Sequence, residues 1–292
     1  MTRYTTRDVN KYYRDLVTHN SAAGALIDMW VELAFEGKRL VFHHPQGERE
    51  AARFAEALPG MIGSDLYILL TEYLVFGRFV AHAILDVTTY NYEDLIVEDL
   101  DYCHITISPL NTFEPKVELC CSEEQQKWAS SLDPRVAEQR KNIDPKIVEL
   151  LRAGKPITLK NPLFLPRMAH AHDYFGTSYL AGVKPDMSPD ETFTAVGLML
   201  PYCVTNERLF QEQFLNYAAE LRSRITNYIL REQLLPRIAE AAGYSEIPSY
   251  AWLEDSVMPR DPKAIVVQAL KAAGINCFGY AGENRESVEQ SC

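Results

Sequence analysis

The chain has 292 residues, with 29 Lys and Arg against 40 Asp and Glu, which gives a formal net charge of −11 at pH 7. Hydrophobic residues make up 47% and charged residues 24%, close to the average for globular proteins, and this excludes a wholly disordered chain. The acidic balance argues against a protein whose main task is to hold phosphates, because such binding depends on net positive charge.

Two further features point to a soluble intracellular protein. No apolar run reaches the ~18–20 residues that a membrane span needs, and residues 1–8 lack the apolar stretch of a secretion signal. The six cysteines include no Cys-x-x-Cys pair and are too sparse for a disulfide scaffold, so we expect reduced thiols.

Helical periodicity dominates the first quarter of the chain. Leu26, Trp30 and Leu33 share one helical face at spacing i, i+4 and i+7. Ser64-Asp65 is a good helix start, and Gly77 a good helix stop. The predicted helices cover residues 22–35, about 48–58 and about 65–76, and a polar turn at 43–47 separates the first two.

From residue 78 the apolar period changes to the alternation that is typical of strands. The predicted strands are residues 78–84, about 95–99, 103–108, 116–121 and 157–159, with a turn bounded by Pro109 and Pro115. Residues 122–153 favour two helices, broken at prolines 134 and 145. Residues 160–190 are rich in proline and are predicted to be irregular.

The longest predicted element is a helix from about Asn206 to Ala242, in which Pro236 is expected to cause a kink or break near residue 232. Its apolar stripe must be buried, either against the N-terminal part of the chain or also against neighbouring subunits. A strand at 249–253 and a helix at about 261–273 follow. Together these elements predict an α+β fold.

The sequence contains no recognisable catalytic or nucleotide-binding motif, which favours a protein that is not an enzyme and has no cofactor. One cluster remains as an alternative, because His170, His172 and Asp173 have side chains that ligate metals. Their spacing is poor for a shared site, and a structural or solvated histidine pair is the favoured interpretation.

Several short motifs become informative when they are taken together in chain order. Residues 69–86 (Leu-Leu-Thr-Glu-Tyr-Leu-Val-Phe-Gly-Arg-Phe-Val-Ala-His-Ala-Ile-Leu-Asp) form a helix that ends at a glycine and runs into a strand. Residues 167–180 (Arg-Met-Ala-His-Ala-His-Asp-Tyr-Phe-Gly-Thr-Ser-Tyr-Leu) contain a Gly-Thr-Ser signature. The other segments are residues 98–110, 143–159, the long helix, 247–252 and 260–262. In this order they resemble the portal proteins of tailed bacteriophages, over about residues 20–280.

The resemblance implies a portal-like α+β fold in which N-terminal helices and a small antiparallel wing sheet precede a long core helix and a helical C-terminal part. The implied segments are a wing-like domain at 1–160, an irregular signature with a compressed stem, clip and channel loop at 161–205, a core and crown-proximal helical region at 206–282, and a flexible tail at 283–292. The family-signature residues are Arg167, Gly176, Thr177, Ser178, Trp252 and Arg260.

The implied function is structural. A ring of twelve copies at one capsid vertex would serve as the conduit for DNA packaging and ejection and as the head-tail junction, in a virion assembled in the host cytoplasm. Its partners would be other copies of itself, the major capsid protein, a tail adaptor, the terminase motor and double-stranded DNA that passes non-specifically, with no membrane. By analogy, the DNA-channel candidates lie in a loop before the long helix and are Tyr202, Thr205, Asn206 and Arg208.

One departure from the portal pattern concerns the stem and clip. Only about 25 residues separate Leu180 from the long helix, so the stem and clip are either compressed or lost. Docking of the terminase motor and the tail adaptor uses the clip and therefore depends on which of these two is true. Two alternative functions stay open at this point. One is another head-completion or adaptor protein of a phage particle, and the other is a metal-dependent enzyme that uses His170, His172 and Asp173.

Overall fold

The computed structural model describes residues 6–58, 60–85, 92–98, 100–108, 111–121, 123–131, 145–159, 162–165, 178–198, 200, 202–254 and 261–275. It combines helices with small antiparallel sheets, so the α+β class is confirmed. The chain divides into two compact units. Unit 1 comprises Met1–Arg78, Leu85–Glu93 and Leu165–Cys292, and unit 2 comprises Phe79–Ile84 and Asp94–Phe164.

The elements are as follows in chain order. The first are α1 (Thr6–His19), α2 (Ser21–Phe35), β1 (Lys38–His43), α3 (Glu48–Ala57), a π-helical turn (Met61–Asp65) and α4 (Leu66–Phe76). The middle elements are β2 (Phe79–Leu85), β3 (Tyr92–Val97), a 3-10 turn (Leu100–Tyr102), β4 (Cys103–Ser108), β5 (Asn111–Leu119), α5 (Glu123–Ser131), α6 (Pro145–Arg152), β6 (Ile157–Thr158) and β7 (Leu163–Leu165).

The C-terminal elements begin with α7 (Pro189–Ala195) and α8 (Tyr202–Thr205). A continuous helical stretch follows, which we call the long helix: α9 (Glu207–Phe210), a π segment (Gln211–Leu215), α10 (Asn216–Thr226), a second π segment (Asn227–Leu234) and α11 (Leu235–Ala242). The last elements are β8 (Ser249–Glu254) and α12 (Pro262–Ala272).

Helix α2 lies at the centre of unit 1. Asn20 caps its start, where the side-chain oxygen accepts hydrogen bonds of 3.0 Å from both Ala22 N and Ala23 N. Eleven of the 15 residues of α2 are buried, which is too many for an amphipathic surface helix. Helices α1, α4, α7, α10 and α12 pack around it.

The N-terminal predictions are largely confirmed. Helices α2, α3 and α4 match the predicted spans closely, and Gly77 ends α4 with a left-handed conformation (φ 70°). The predicted cap at Ser64-Asp65 is wrong, because a π-helical turn precedes α4 and Asp65 makes no capping hydrogen bond. Helix α1 was not predicted, although Val9, Tyr13 and Leu16 have the spacing of a helical face and are buried.

The long helix starts close to its predicted beginning, and Asn206 caps it: the side-chain oxygen accepts a hydrogen bond of 3.2 Å from Leu209 N. Pro236 does not break it. The π segment before α11 changes the hydrogen-bonding register, which accommodates a residue that has no N–H to donate. The buried Gln233 side chain contributes by donating a hydrogen bond of 2.8 Å to Tyr228 O.

Strands β1 and β8 form a two-stranded antiparallel ribbon that packs on the long helix. Tyr250 donates its hydroxyl to Asn227 Oδ1 at 2.6 Å, and the Trp252 indole N–H donates to Thr226 Oγ1 at 3.2 Å. Thr226 is fully buried, and its own hydroxyl donates to Arg222 O at 2.6 Å. These bonds fix the ribbon at the junction between α10 and the second π segment.

Unit 2 contains the antiparallel sheet β4-β5-β6, and β2 lies between β3 and β7 in a second sheet. Helices α5 and α6 enclose a small core of Ala129, Val148, Leu151 and Ile157. The predicted turn bounded by Pro109 and Pro115 is wrong at its C-terminal side, because β5 already begins at Asn111. Strand β7 falls in a stretch that was predicted to be irregular.

The two units divide the chain differently from the predicted segments. The predicted wing-like domain, residues 1–160, contains parts of both units, because the first 78 residues belong to unit 1 together with the long helix. The physical reason is the burial of α2, which requires α4 on one side and α10 on another. Unit 2 is therefore an insertion between α4 and the C-terminal half of unit 1.

We expect Thr226→Val to lower the free energy of unfolding by about 1–2 kcal/mol, since the Trp252 N–H loses its acceptor and Arg222 O loses the Thr226 hydroxyl as donor. Urea denaturation followed by circular dichroism measures this change. Thr194→Val is the matched control, because Thr194 makes the same type of bond to Asp190 O but is exposed. Equal effects from the two variants would contradict the role given to Thr226.

Candidate functional site

The structure describes only part of the predicted site. Among the family-signature residues it describes Ser178 and Trp252, and among the channel candidates it describes the backbone of Tyr202 and all of Thr205, Asn206 and Arg208. The other predicted residues lie outside the described ranges, and they are Arg167, Gly176, Thr177, Arg260, His170, His172 and Asp173.

The channel candidates were predicted to lie in a loop, which is wrong, because most of them lie in helices; their contact with DNA stays a prediction. Tyr202 and Thr205 lie in α8, and Arg208 lies in α9. Only Asn206 breaks the helical conformation, because it is the cap of α9 (φ −96°, ψ 114°). Arg208 is exposed and bonds Glu212 on the next turn, with 2.9 Å between Nε and Oε1.

Ser178, the last residue of the Gly-Thr-Ser signature, ties its segment to α4. Its hydroxyl donates to Leu74 O at 3.3 Å, and the same carbonyl accepts from Tyr179 N at 2.8 Å. The Ser178 oxygen in turn accepts from Leu180 N at 3.0 Å. Both Ser178 and Leu180 are buried, so the described end of the signature is a structural anchor.

An aromatic cluster lies directly behind this anchor. Trp30 of α2 is 1% exposed, and its ring centroid lies 4.9 Å from that of Tyr217, 5.6 Å from that of Phe214 and 5.8 Å from that of Tyr179. These distances are typical of favourable stacked and edge-to-face pairs. Burial raises the pKa of Tyr179 above its ordinary value and that of Tyr217 to about 12, so both phenols stay neutral.

A polar contact joins α4 to the long helix beside the cluster. Arg224 Nη1 donates to the Tyr73 hydroxyl at 2.9 Å, and the same guanidinium lies 3.6 Å from Glu220. Burial raises the pKa of Tyr73, and the positive charge of Arg224 opposes that shift. Sequence analysis missed this pair, because Tyr73 lies on the apolar face of its helix and only the fold brings Arg224 to it.

Four of the segments that carry the portal resemblance therefore meet within unit 1. Leu74 of segment 69–86 accepts hydrogen bonds from segment 167–180, and Tyr73 binds the long helix. Trp252 of segment 247–252 binds the same helix at Thr226. Segments that are far apart in sequence thus form one contact network.

The long helix presents an acidic surface. Its five glutamates are all exposed, whereas only two of its five arginines are; the glutamates are Glu207, Glu212, Glu220, Glu232 and Glu240. Arg222 instead points inward, where it donates to Ala34 O at 2.6 Å and its Cζ lies 5.9 Å from the Trp252 ring centroid. Burial lowers the pKa of both Arg222 and Arg237.

The apolar stripe of the long helix is buried within its own chain. Phe210, Phe214, Leu221 and Ile225 are each 2% exposed or less, in a helix that packs on α2 and α4. The four large hydrophobic residues that are exposed among the described residues lie elsewhere: Ile68, Ile96, Ile247 and Leu253. Of the two interpretations left open by the sequence, burial against the N-terminal part of the chain accounts for the stripe.

The stretch between Ser178 and the long helix is short and folded back. We call residues 178–187 the strap. Tyr12 donates its hydroxyl to Val183 O of the strap at 2.7 Å, and Val183 itself is buried. In the described part of residues 178–205 the helices are α7, with 7 residues, and α8, with 4.

Two partly buried ionisable groups of unit 2, His82 and Glu98, were not predicted as a site. His82 Nδ1 and Glu98 Oε1 lie 3.8 Å apart, and Glu98 N donates to Val80 O at 2.9 Å. Burial lowers the pKa of His82 and raises that of Glu98, so each side chain is shifted toward its neutral form.

Comparison with known proteins gives no family assignment. No family model matches this chain, and no curated protein matches its sequence. Within the described residues, no group of His, Cys, Asp or Glu side chains is arranged to hold a metal ion. None of the helices in the described ranges combines the length and apolar character that a membrane span requires.

We expect Ser178→Ala to lower the free energy of unfolding by about 1 kcal/mol, because Leu180 N loses a buried acceptor and Leu74 O loses one of its two donors. Chemical denaturation measures the effect. Ser223→Ala, which changes an exposed serine of the long helix, should stay within about 0.5 kcal/mol of the parent. A loss of the same size in both variants would contradict the anchoring role of Ser178.

We expect Glu98→Gln to raise the free energy of unfolding at pH 7.5 by up to about 1 kcal/mol. Burial raises the folded-state pKa of Glu98, so the protonated carboxyl group is the form that favours folding. This stabilisation is fully present below the unfolded pKa near 4.5 and is lost as the pH rises through the folded pKa. The gain should therefore disappear toward pH 4. Denaturation at both pH values measures it, with the exposed Glu149→Gln as the control for lost charge. A gain that does not depend on pH would contradict this account.

Proposed function

We propose that this chain is a portal-type protein that forms a homo-oligomeric ring of about twelve copies at one vertex of a phage capsid. In this function the ring is the conduit for DNA packaging and ejection and the junction between head and tail. Its action is physical, and the chain is not an enzyme and needs no cofactor. A ring of this kind requires two different complementary surfaces on each copy, because head-to-tail contacts close around an axis.

The observation that carries this proposal is the contact network in unit 1. The portal resemblance rests on several short motifs, each weak alone, and their order along the chain. Leu74, Ser178, Tyr73 and Trp252 belong to three of those motif segments, and all of them bind one another or the long helix. These segments therefore lie together in one compact unit, as the proposal requires.

The charge of the long helix supports the same function. A DNA conduit must let phosphates pass without holding them, and basic surfaces bind DNA through counterion release. On the long helix the glutamates are exposed, whereas Arg222 and Arg224 point inward, so the outer surface of this helix is acidic rather than basic. Such a surface favours transit of the duplex over its retention.

The strap stands where portals have the modules that bind the partners of the ring. Portals have a stem and clip after the signature, and those modules meet the terminase motor and the tail adaptor. Here the corresponding residues form the strap, α7 and α8, and the strap lies against α1 and α4. We propose that motor and tail adaptor dock on a reduced surface, while the major capsid protein surrounds the ring.

Negative-stain microscopy of the purified full chain, combined with native mass spectrometry, tests the proposal. We expect rings with an axial hole wide enough for a DNA duplex and a mass near twelve copies. The sample should be examined over a wide range of protein concentration, alone and together with its capsid protein. Monomers under all of these conditions would overturn the proposal.

A further inference from the structure

His82 and Glu98 of unit 2 face each other without a hydrogen bond between their side chains. His82 Nδ1 lies 3.8 Å from Glu98 Oε1, which is beyond the range of a hydrogen bond. This nitrogen is withdrawn from water and has no hydrogen-bond partner among the described residues. A buried polar atom without a partner is rare in folded proteins and calls for a physical explanation.

The backbone holds the two side chains in this position. His82 lies in the middle of β2, and Glu98 directly follows β3. Glu98 N donates to Val80 O at 2.9 Å, so the Glu98 backbone is bound to β2 two residues before the histidine. Residues two apart in a strand point to the same face of the sheet, so a long side chain opposite Val80 can reach His82 diagonally.

The elements beside the pair contribute few other ionisable groups in the described residues. Strand β7, the other neighbour of β2, consists of Leu163, Phe164 and Leu165 and has none. Strand β3 carries two further acids, at positions 93 and 94, whose side chains lie outside the described part of the chain. Within that part, each member of the pair is the other's only ion-pair partner, and burial shifts the pKa of both.

Burial favours the neutral forms of both groups. In water, at a pH between their ordinary pKa values of 4.5 and 6.5, Glu98 and His82 would both be charged. Burial opposes that state, because it raises the pKa of Glu98 and lowers the pKa of His82. Transfer of one proton from the imidazolium to the carboxylate removes both charges at once. A protonated carboxyl group is a donor, and the bare Nδ1 of a neutral histidine is an acceptor.

We propose that Glu98 takes up a proton in weak acid and donates it in a hydrogen bond to Nδ1 of neutral His82, so that unit 2 contains a pH-sensitive connection between β2 and the end of β3. The buried nitrogen thereby obtains its missing partner, and His82 keeps its own proton on Nε2. At higher pH Glu98 releases its proton to water, and two acceptors then face each other with no donor between them. The connection belongs to unit 2 alone and does not depend on the proposed ring.

The directions of the pKa shifts define the pH range of this connection. The raised pKa of Glu98 means that its protonated form stabilises the fold below the unfolded value near 4.5, and this is lost as the pH rises through the folded pKa. The lowered pKa of His82 means that its neutral form stabilises the fold above 6.5, and this is lost as the pH falls through the folded pKa. The two neutral forms coexist in the weakly acidic range between these limits, where the hydrogen bond should be strongest.

Amide hydrogen exchange of the full chain, followed by mass spectrometry, tests the proposal, because it reports on β2 and β3 separately from the other elements. Variants and parent are compared at the same pH, at pH 5.0 and at pH 7.5, so the intrinsic effect of pH on exchange cancels. Glu98→Gln places an amide N–H donor beside Nδ1 at either pH. It should match the parent at pH 5.0 and protect β2 about fivefold more at pH 7.5, which is the factor for one net hydrogen bond.

Two further variants separate the hydrogen bond from general effects. His82→Phe removes the acceptor and keeps a ring, and it should lower the protection of β2 about fivefold at pH 5.0 and by less than about twofold at pH 7.5. Glu149→Gln removes an exposed carboxylate of unit 2 and should match the parent at both pH values. Circular dichroism confirms that each variant folds. If His82→Phe does not fold, the comparison of Glu98→Gln with the parent decides alone.

Three outcomes would overturn the proposal. Weaker protection in Glu98→Gln than in the parent at pH 5.0 would mean that the proton lies on His82 as part of an ion pair. A difference between Glu98→Gln and the parent that is the same at both pH values would mean that no proton is taken up. Equal protection in the parent and in His82→Phe at pH 5.0 would mean that Nδ1 accepts no bond. Each comparison can be made whether or not the chain forms rings, so the proposed function is tested separately.

Discussion

The burial of α2 is the constraint on which the rest of unit 1 depends. A 15-residue helix with apolar side chains on nearly every side is stable in water only when other elements enclose it. Trp30 is the centre of that enclosure, because its rings meet Phe214 and Tyr217 of the long helix and Tyr179 beside the strap. The N-terminal and C-terminal parts of the chain are thereby joined in one unit, and the sheets of unit 2 become an insertion.

The same burial determines the surface charge of the long helix. Where the helix packs on α2 and α4, its arginines are the long side chains that can reach backbone and tyrosine oxygens, as Arg222 reaches Ala34 O and Arg224 reaches Tyr73. Glutamates have no comparable donors to meet there and remain in water. A helix with equal numbers of acidic and basic residues thus becomes acidic on its outer side, and the proposed DNA conduit depends on that asymmetry.

The strap shows how a short connection can replace a longer module. Leu180 and Val183 are buried, and Ser178 and Tyr12 hydrogen-bond across the segment, so these residues are fixed to the helices beneath them. Ser188 then starts α7 with a reciprocal capping arrangement with Glu191. The segment has regular local structure without the length of a stem, and in the proposed ring this limits where other proteins can dock.

The sequence by itself determined the elements whose periodicity and end signals are local. Helices α2, α3, α4 and α12, strands β4 and β8, and the start of the long helix all lie close to where apolar spacing and glycines predict them. It also indicated the α+β class and the region of the Pro236 disturbance. These features depend on interactions between residues that are near one another in the chain, so a linear pattern contains them.

Only the tertiary structure decided the rest. The predicted channel loop became helical because Asn206 caps α9 immediately after α8 ends, and the predicted wing domain was divided because α4 and α10 share the surface of α2. The inward positions of Arg222 and Arg224 and the Leu74 anchor of Ser178 involve partners more than 100 residues apart. Such contacts form because burial of α2 selects them, and no local spacing in the sequence encodes which distant surface a side chain will meet.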